Sequence, residues 1–511
     1  MAEISAGNKK IAKNTLILYG RTLIVMLVSL YTTRIVLSVL GASDYGVYDV
    51  VGGVIGMLGY FNTILSGGVS RFLTIAIGKN DSQKTKDTFA LCNTVGFIGA
   101  LTVLILAETI GLWFVSNKLV IPPERFYAAM WVYQFAVFSA VLTLLQMPYG
   151  ACIIAHEDMS VYGYMGIIDA VLKLGIAFVL QISNFDHLIF YGALLLSVNL
   201  IDIIIYRVYC MRKYDETTFR LLYRKKELGE MLSYSGWTTI GAFASILNSH
   251  GITLLLNLFF GTIVNAARGI AGQISKAVRV VYTNFQTASR PQIVKSYACG
   301  DIPTMSALIR NVSKYGAYLT MLLIIPLGVH MDGVLHIWLG DNIPEYTVIF
   351  TRCVMLQNLF HAIDYPVGSG IQAVGKMKLP NLSTAFIYMI VFPLTYFAFK
   401  LGASPFAGYL IFISCTPFVL LVDLLILRKY TGFNIKQYVF QSLLPIFQVF
   451  ILALIVPILV EMFIHIDGVF ISTLTKGFIS LIYTATIVFF IGLSSNMREI
   501  VLTKLKFRKL C

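Results

Sequence analysis

Four cations stand on one stretch of the chain, GTIVNAARGIAGQISKAVRVVYTNFQTASR: Arg268, Lys276, Arg279 and Arg290. On a helix turning about 100° per residue, all four fall within an arc of about 80°. Asn265, Gly272, Ser275, Thr283 and Gln286 share that side, while Ile263, Ile270, Ile274, Ala277, Val281 and Phe285 face away. A cation at the centre of a membrane helix costs roughly 2.5–3.5 kcal/mol even on a lenient insertion scale. A stripe of them is tolerable against water or a buried anion. The pattern predicts a cationic cavity that receives an anionic group.

Other polar residues extend this expectation. Asp49, Gly53, Gly56, Tyr60, Gly67, Arg71 and Thr74 share one helical face of an earlier segment, opposite Leu58, Phe61, Leu65 and Val69. Gly52 and Gly56 also suit close helix packing. Arg21 lies in line with Asn14 and Thr32. The expected substrate-binding set is Arg268, Lys276, Arg279, Arg290, Arg71, Arg21 and Asp49. For Arg21, Arg71 and Arg290, near helix ends, snorkelling or pairing with a buried carboxylate is the competing account. It serves poorly for Lys276 and Arg279, which lie deep. The carboxylates available as partners are Asp49, Glu108, Asp169, Asp202 and Asp364. His361 and Asp364 share a face just before Pro366, which suits a relay or, preferably, a hydrogen-bonded kink. His250 reads as a satisfied polar residue.

Nothing in the chain looks catalytic. The longest basic loop, near 212–229, has no nucleophile–base set and no phosphate-cradling glycine motif, so no enzyme activity and no cofactor are expected. The seven cysteines make no C-x-x-C and no metal-spaced set. They are expected to be structural, with no metal site.

The elements that must position these residues are membrane helices. Of 511 residues, 57% are hydrophobic and 13% charged, and mean hydropathy is +0.78. That is too little charge to coat a soluble globule. Apolar runs of about 20 residues recur throughout, the length needed to cross the hydrocarbon core as helix. Their continuous, non-alternating character excludes a β-barrel. Fourteen spans are expected, near 14–39, 46–77, 88–116, 125–155, 159–183, 187–211, 230–258, 264–298, 304–330, 345–374, 380–400, 405–428, 438–464 and 472–494. No cleavable signal peptide is expected at the start, which is polar and basic.

Cations settle the expected orientation. With the N-terminus inside, the inner segments hold Lys9, Lys10, Lys13, Lys79, Lys84, Lys86, a cluster from Arg212 to Lys226, Lys376, Lys378, Arg428, Lys429, Lys436 and a basic tail. The outer ones hold little beyond Lys118, Arg125 and Lys400. This asymmetry puts both termini in the cytoplasm. The net charge of +14 then reflects topology and an anionic inner leaflet, and no nucleic-acid partner is expected.

One phrase occurs twice. PYGACIIAHEDM at Pro148 and PVGSGIQAVGKM at Pro366 match at proline, glycine, isoleucine, alanine and methionine, 218 residues apart. Gly41 and Gly261 close the first and seventh spans at nearly the same offset. Six spans make one repeat unit, and an even number preserves orientation. Two lobes related by a pseudo-twofold along the membrane normal follow, with a substrate site between them near midplane. The expected divisions are an N-terminal six-helix lobe at 1–218 and a C-terminal one at 219–436. An extra helix pair at 437–496 and a basic tail at 497–511 follow.

The opening NKKIAKNTLILYGRTLIVMLVSLYTTRIVLSVLGASDYGVYDVVGGVIG resembles the start of Wzx-type polysaccharide flippases of the multidrug/oligosaccharidyl-lipid/polysaccharide exporter superfamily. The similarity runs to about residue 430, through IWLG at Ile337 and GIQAVGKMKLP at Gly370. The resemblance implies a two-lobed bundle alternating between inward and outward openings. It implies movement of an undecaprenyl-diphosphate-linked oligosaccharide across the bacterial inner membrane for surface polysaccharide, including lipopolysaccharide, assembly. The deep cations would hold the diphosphate while the lipid stays in the bilayer. Fourteen spans also resemble the lipid II flippases of that superfamily, whose extra pair helps form a lipid groove. The implied partners are the lipid-linked oligosaccharide and membrane lipids. A monomer is expected, with association with other polysaccharide-assembly proteins left open. Two alternatives stand: a multidrug/cation antiporter of the same fold, and an integral membrane polysaccharide polymerase or ligase. The first would want acidic cavity residues and the second a large outer loop.

Overall fold

The computed structural model describes residues 2–78, 81–156, 158–376, 378–495 and 497–499, and all regular structure among them is helical. The helices begin with α1 (Ala2–Gly78), α2 (Ser82–Leu106), α3 (Leu112–Asn117), α4 (Phe126–Ala155), α5 (Met159–Gln181), α6 (His187–Lys213), α7 (Lys225–Phe260) and α8 (Thr262–Ala298). They continue as α9 (Ile302–Val329), α10 (Met331–Leu339), α11 (Thr347–Val374), α12 (Lys378–Lys400), α13 (Ala407–Thr431), α14 (Ile435–Tyr438), α15 (Leu444–Phe463) and α16 (Val469–Ile487). Five-residue π-helical turns join α2 to α3 and α14 to α15.

The expected spans fall on these helices, the first two together on α1, which bends at Gly41. Ten helical segments among the described residues are long and apolar enough to cross a membrane. The fold is that of an all-α, multi-pass membrane protein. α8 is long enough but its cations keep it out of that set. The segment between the ninth and tenth expected spans contains a helix, α10. Met331, Leu335 and Leu339 recur every fourth residue and are buried, so one apolar face suffices to fold it.

The chain folds as two compact units. The first is Met1–Gly269 with Thr395–Lys400, the second Ile270–Leu394 with Leu401–Cys511. This division falls inside α8, later than the repeat boundary at 218. In the first unit α4 packs on α1, α2 and α6, and α1 packs on α5 and α7. Its core holds Leu73, Phe89, Val95, Leu144 and Ile153. In the second, α11 packs on α9 and α13, and α15 and α16 pack on each other and on α9.

Glycine explains the bend in α1. Gly41 has φ 73° and ψ 170°, and Gly261, between α7 and α8, has φ 80° and ψ −168°. This region of backbone space is open essentially to glycine alone. The two positions matched by the repeat thus share one unusual conformation. Pro148 and Pro366 are likewise both buried inside helices, α4 and α11, about two turns before the helix ends.

A polar tie holds the first unit beyond the helix ends. Arg125 binds Asp44 at 2.5 Å and Asp186 at 2.6 Å. Burial alone would raise the Asp186 carboxyl, but Arg125 and the backbone N–H groups of Ile189 and Leu188 hold it below its ordinary value.

Candidate functional site

α8 carries the cation stripe as the spacing predicts. Lys276, Arg279 and Arg290 are exposed; of the residues expected to face away, Ile270 and Ile274 are buried, whereas Ile263 and Phe285 are exposed. None of the ion pairs formed among the described residues uses these three cations. Arg279 faces a neutral polar cluster. It lies within reach of the Tyr282 hydroxyl, which donates to Asn358 Oδ1 at 3.3 Å, and Asn358 Nδ2 donates to Ser275 Oγ at 3.0 Å. This cluster is neutral and does not cancel the charge.

Two residues expected on the open side are turned inward. Gln286 is 1% exposed and donates to the Ala362 carbonyl at 2.5 Å. Asn265 is fully buried and donates to the Thr253 carbonyl at 3.2 Å. For both, a carbonyl on a neighbouring helix outcompetes the open side. Arg268 is half-buried and donates to Thr253 Oγ1 at 2.6 Å. It therefore engages α7, away from the three exposed cations further along α8.

In the first unit, Asp49 of α1 lies against Gly269 of α8: a Cβ added there would come 2.9 Å from Asp49 Oδ1. Arg21 is half-buried, and its guanidinium lies where a Cβ on Gly166 of α5 would stand. His250 sits over Gly56, whose Cβ would fall 2.8 Å from its Cε1. That supports its reading as a packed polar residue. The side chain of Arg71 lies outside the described residues. The expected carboxylate partners are partly occupied elsewhere. Glu108 accepts from Gln134 at 3.3 Å, and Asp169 pairs with Lys173 at 2.7 Å.

Asp423 of α13 was not among the expected residues. It is 7% exposed and lies within electrostatic reach of Asp364 on α11. One oxygen of each is buried with no hydrogen-bond partner among the described residues. Tyr388 of α12 feels both carboxylates and Arg279. A carboxylate so placed takes up a proton or needs positive charge beside it, and the pair offers oxygen ligands that a small cation could take. The sequence did hold a signal: Asp423 is the lone charge in FVLLVDLLIL, and an isolated acid in a span is a functional pointer.

The second unit also holds an apolar groove of about 440 Å³ between α9, α11 and α15. Ile324, Met355, Leu356, Phe450, Leu454 and Ile458 line it, and Arg352 and Glu461 stand among them. Arg352 is tied to Asp332 at 2.9 Å and to the Gly328 carbonyl at 2.9 Å.

No protein-family model and no curated protein matches the sequence. Solved structures match the fold. One is a MOP superfamily transporter from Pyrococcus furiosus, described as having a binding pocket of reverse polarity that suggests a different function. It is 14% identical with a TM-score of 0.57, over 82% of this chain and 96% of that one. Two more are a multidrug resistance MATE family transporter in outward-facing and inward-facing conformations. These are 12% and 15% identical, each with a TM-score of 0.58, over 82% of this chain and 96% and 98% of theirs. The two units of this chain therefore carry the all-α fold of the MATE transporters of the MOP superfamily.

Proposed function

We propose that this chain is a transporter that flips a lipid-diphosphate-linked oligosaccharide, of the undecaprenyl type, across the bacterial inner membrane for surface polysaccharide synthesis. The observation that carries the reading is the exposed stripe of Lys276, Arg279 and Arg290 on α8. Left out of the ion pairs among the described residues, these side chains keep charge available for a phosphate group. Arginine can grip phosphate through two parallel donors, and lysine supplies a compact charge. The apolar groove beside α15 suits an acyl or isoprenoid chain that stays in lipid while the head group crosses. The Pyrococcus protein is in keeping with this reading, since the reverse polarity of its binding pocket suggests a different function on the same fold.

A drug/cation antiporter is the second reading, favoured by Asp364 and Asp423, each with one buried oxygen that has no hydrogen-bond partner among the described residues. Deletion in the native host separates the two. Flipping predicts that a lipid-linked sugar accumulates on the cytoplasmic face and that surface polysaccharide is lost. Unchanged lipid-linked sugars, together with increased sensitivity to cationic drugs, would sink the flippase reading and support the antiporter.

A further inference from the structure

At the end of α4, Cys152 and His156 are four residues apart and point the same way. Glu216, in the segment after α6, reaches back to them. Its Oε1 lies 2.6 Å from His156 Nε2 and 4.0 Å from Cys152 Sγ. One donor atom from each residue falls within 4.8 Å of the others. The Tyr214 ring stacks on the imidazole, 4.2 Å between centroids and 8° between planes, which fixes the plane of the ring. Cys152 is fully buried, while the side chains of His156 and Glu216 are 26% and 12% exposed. An ion can therefore enter from one side, and a water can complete its shell there.

Glu216 is held in place by more than this contact. The segment carrying it is bound along its length to the first unit. Thr94 Oγ1 donates to the Leu222 carbonyl at 2.9 Å and accepts from the Leu222 N–H at 3.0 Å. Arg224 pairs with Asp87 at 2.5 Å. The nearby Asp158 and Lys213 bind each other, so neither competes for the three donors.

We propose that Cys152 Sγ, His156 Nε2 and Glu216 Oε1 bind one zinc ion, with water as fourth ligand, and that the ion clamps the 214–224 segment to α4. Sulfur, imidazole and carboxylate donors suit a borderline-soft ion, and magnesium and calcium prefer oxygen alone. Bond lengths of about 2.0–2.3 Å put tetrahedral ligand atoms about 3.3–3.6 Å apart. The His156–Glu216 pair must open by about 0.7 Å, and the Cys152–Glu216 pair must close by about 0.4 Å. Hydrated Zn(II) loses waters to the three ligands, and the Cys152 thiol releases one proton to solvent as its sulfur becomes thiolate. The cysteine spacings alone did not suggest this site, because its ligands are a single cysteine, a histidine one turn on and an acid 60 residues further along.

The test uses the full chain, purified in detergent, stripped with a chelator and titrated with Co(II), then Zn(II). One equivalent of Co(II) should give a thiolate charge-transfer band that Zn(II) removes. C152S should abolish the band. H156Q and E216Q should weaken binding at least about tenfold, and C299S, at an exposed cysteine, should leave it unchanged. Zn(II) should also slow tryptic cleavage after Arg220 in the wild type and leave it unchanged in E216Q. If C152S does not fold, a folded H156Q decides the matter. The proposal is overturned by absence of the band, by its survival in C152S, by its loss in C299S, or by undiminished affinity in H156Q. Cleavage indifferent to Zn(II) overturns the clamp.

Discussion

Lys276 and Arg279 are the residues on which the transport reading is most exposed to test. If they hold a diphosphate, charge matters first and donor geometry second. Losing a charge-assisted contact is worth about 1.5–3 kcal/mol, or roughly tenfold to a hundredfold. Arg279→Ala should therefore cut surface polysaccharide severely in a complemented deletion strain, and Arg279→Lys only partly. Lys276→Ala and Lys276→Arg should follow the same order. Protein abundance must be matched by immunoblot, because neutralising a membrane cation can also change insertion. Full activity of the double alanine variant would remove the stripe as the anion site. The stripe itself was legible from spacing, since three exposed cations recur on one arc of α8. The inward turn of Gln286 and Asn265 was not, because it depends on carbonyls that other helices bring to them.

α1, α7 and α8 owe their shape to two glycines. Gly41 and Gly261 occupy the same left-hand, extended corner of backbone space. Substituting alanine there carries a strain on the order of 1–3 kcal/mol. Gly41→Ala and Gly261→Ala should each lower the thermal midpoint of the detergent-purified protein, by similar amounts. Gly52→Ala, where a Cβ would meet nothing within 4 Å, should change it little. Equal midpoints for all three variants would mean that the shared conformation has no structural consequence. The 220-residue correspondence was visible in the sequence as a pair of glycines. Their dihedral angles, which explain why glycine is needed, were not, because the span-end pattern is compatible with several turns.

The orientation of the whole molecule rests on the distribution of lysine and arginine, and on the positive-inside bias. In a cysteine-poor background, a cysteine at Asn342 should react with an impermeant maleimide in intact cells. One at Glu227 should react only after permeabilisation. Both residues are exposed, so burial does not decide the outcome. The reverse pattern would overturn the orientation, and with it the inside-first passage of the proposed substrate.

By itself the sequence determined the class of the protein, a chain of membrane helices. It also determined which helix carries charge and where two copies of one phrase recur. These follow from local periodicity and from the cost of leaving charge or backbone in lipid, which act along a single segment. Tertiary structure alone decided which distant residues meet. The sequence marks Asp423 as an isolated acid, but only the structure brings it within reach of Asp364 on the neighbouring helix α11. The groove exists only because α15 packs against α9 near α11. Cys152, His156 and Glu216 come together because the segment after α6 folds back onto the end of α4. Hydropathy and spacing describe a helix one face at a time. Which faces pair depends on packing between segments far apart in the chain, and no local pattern encodes it.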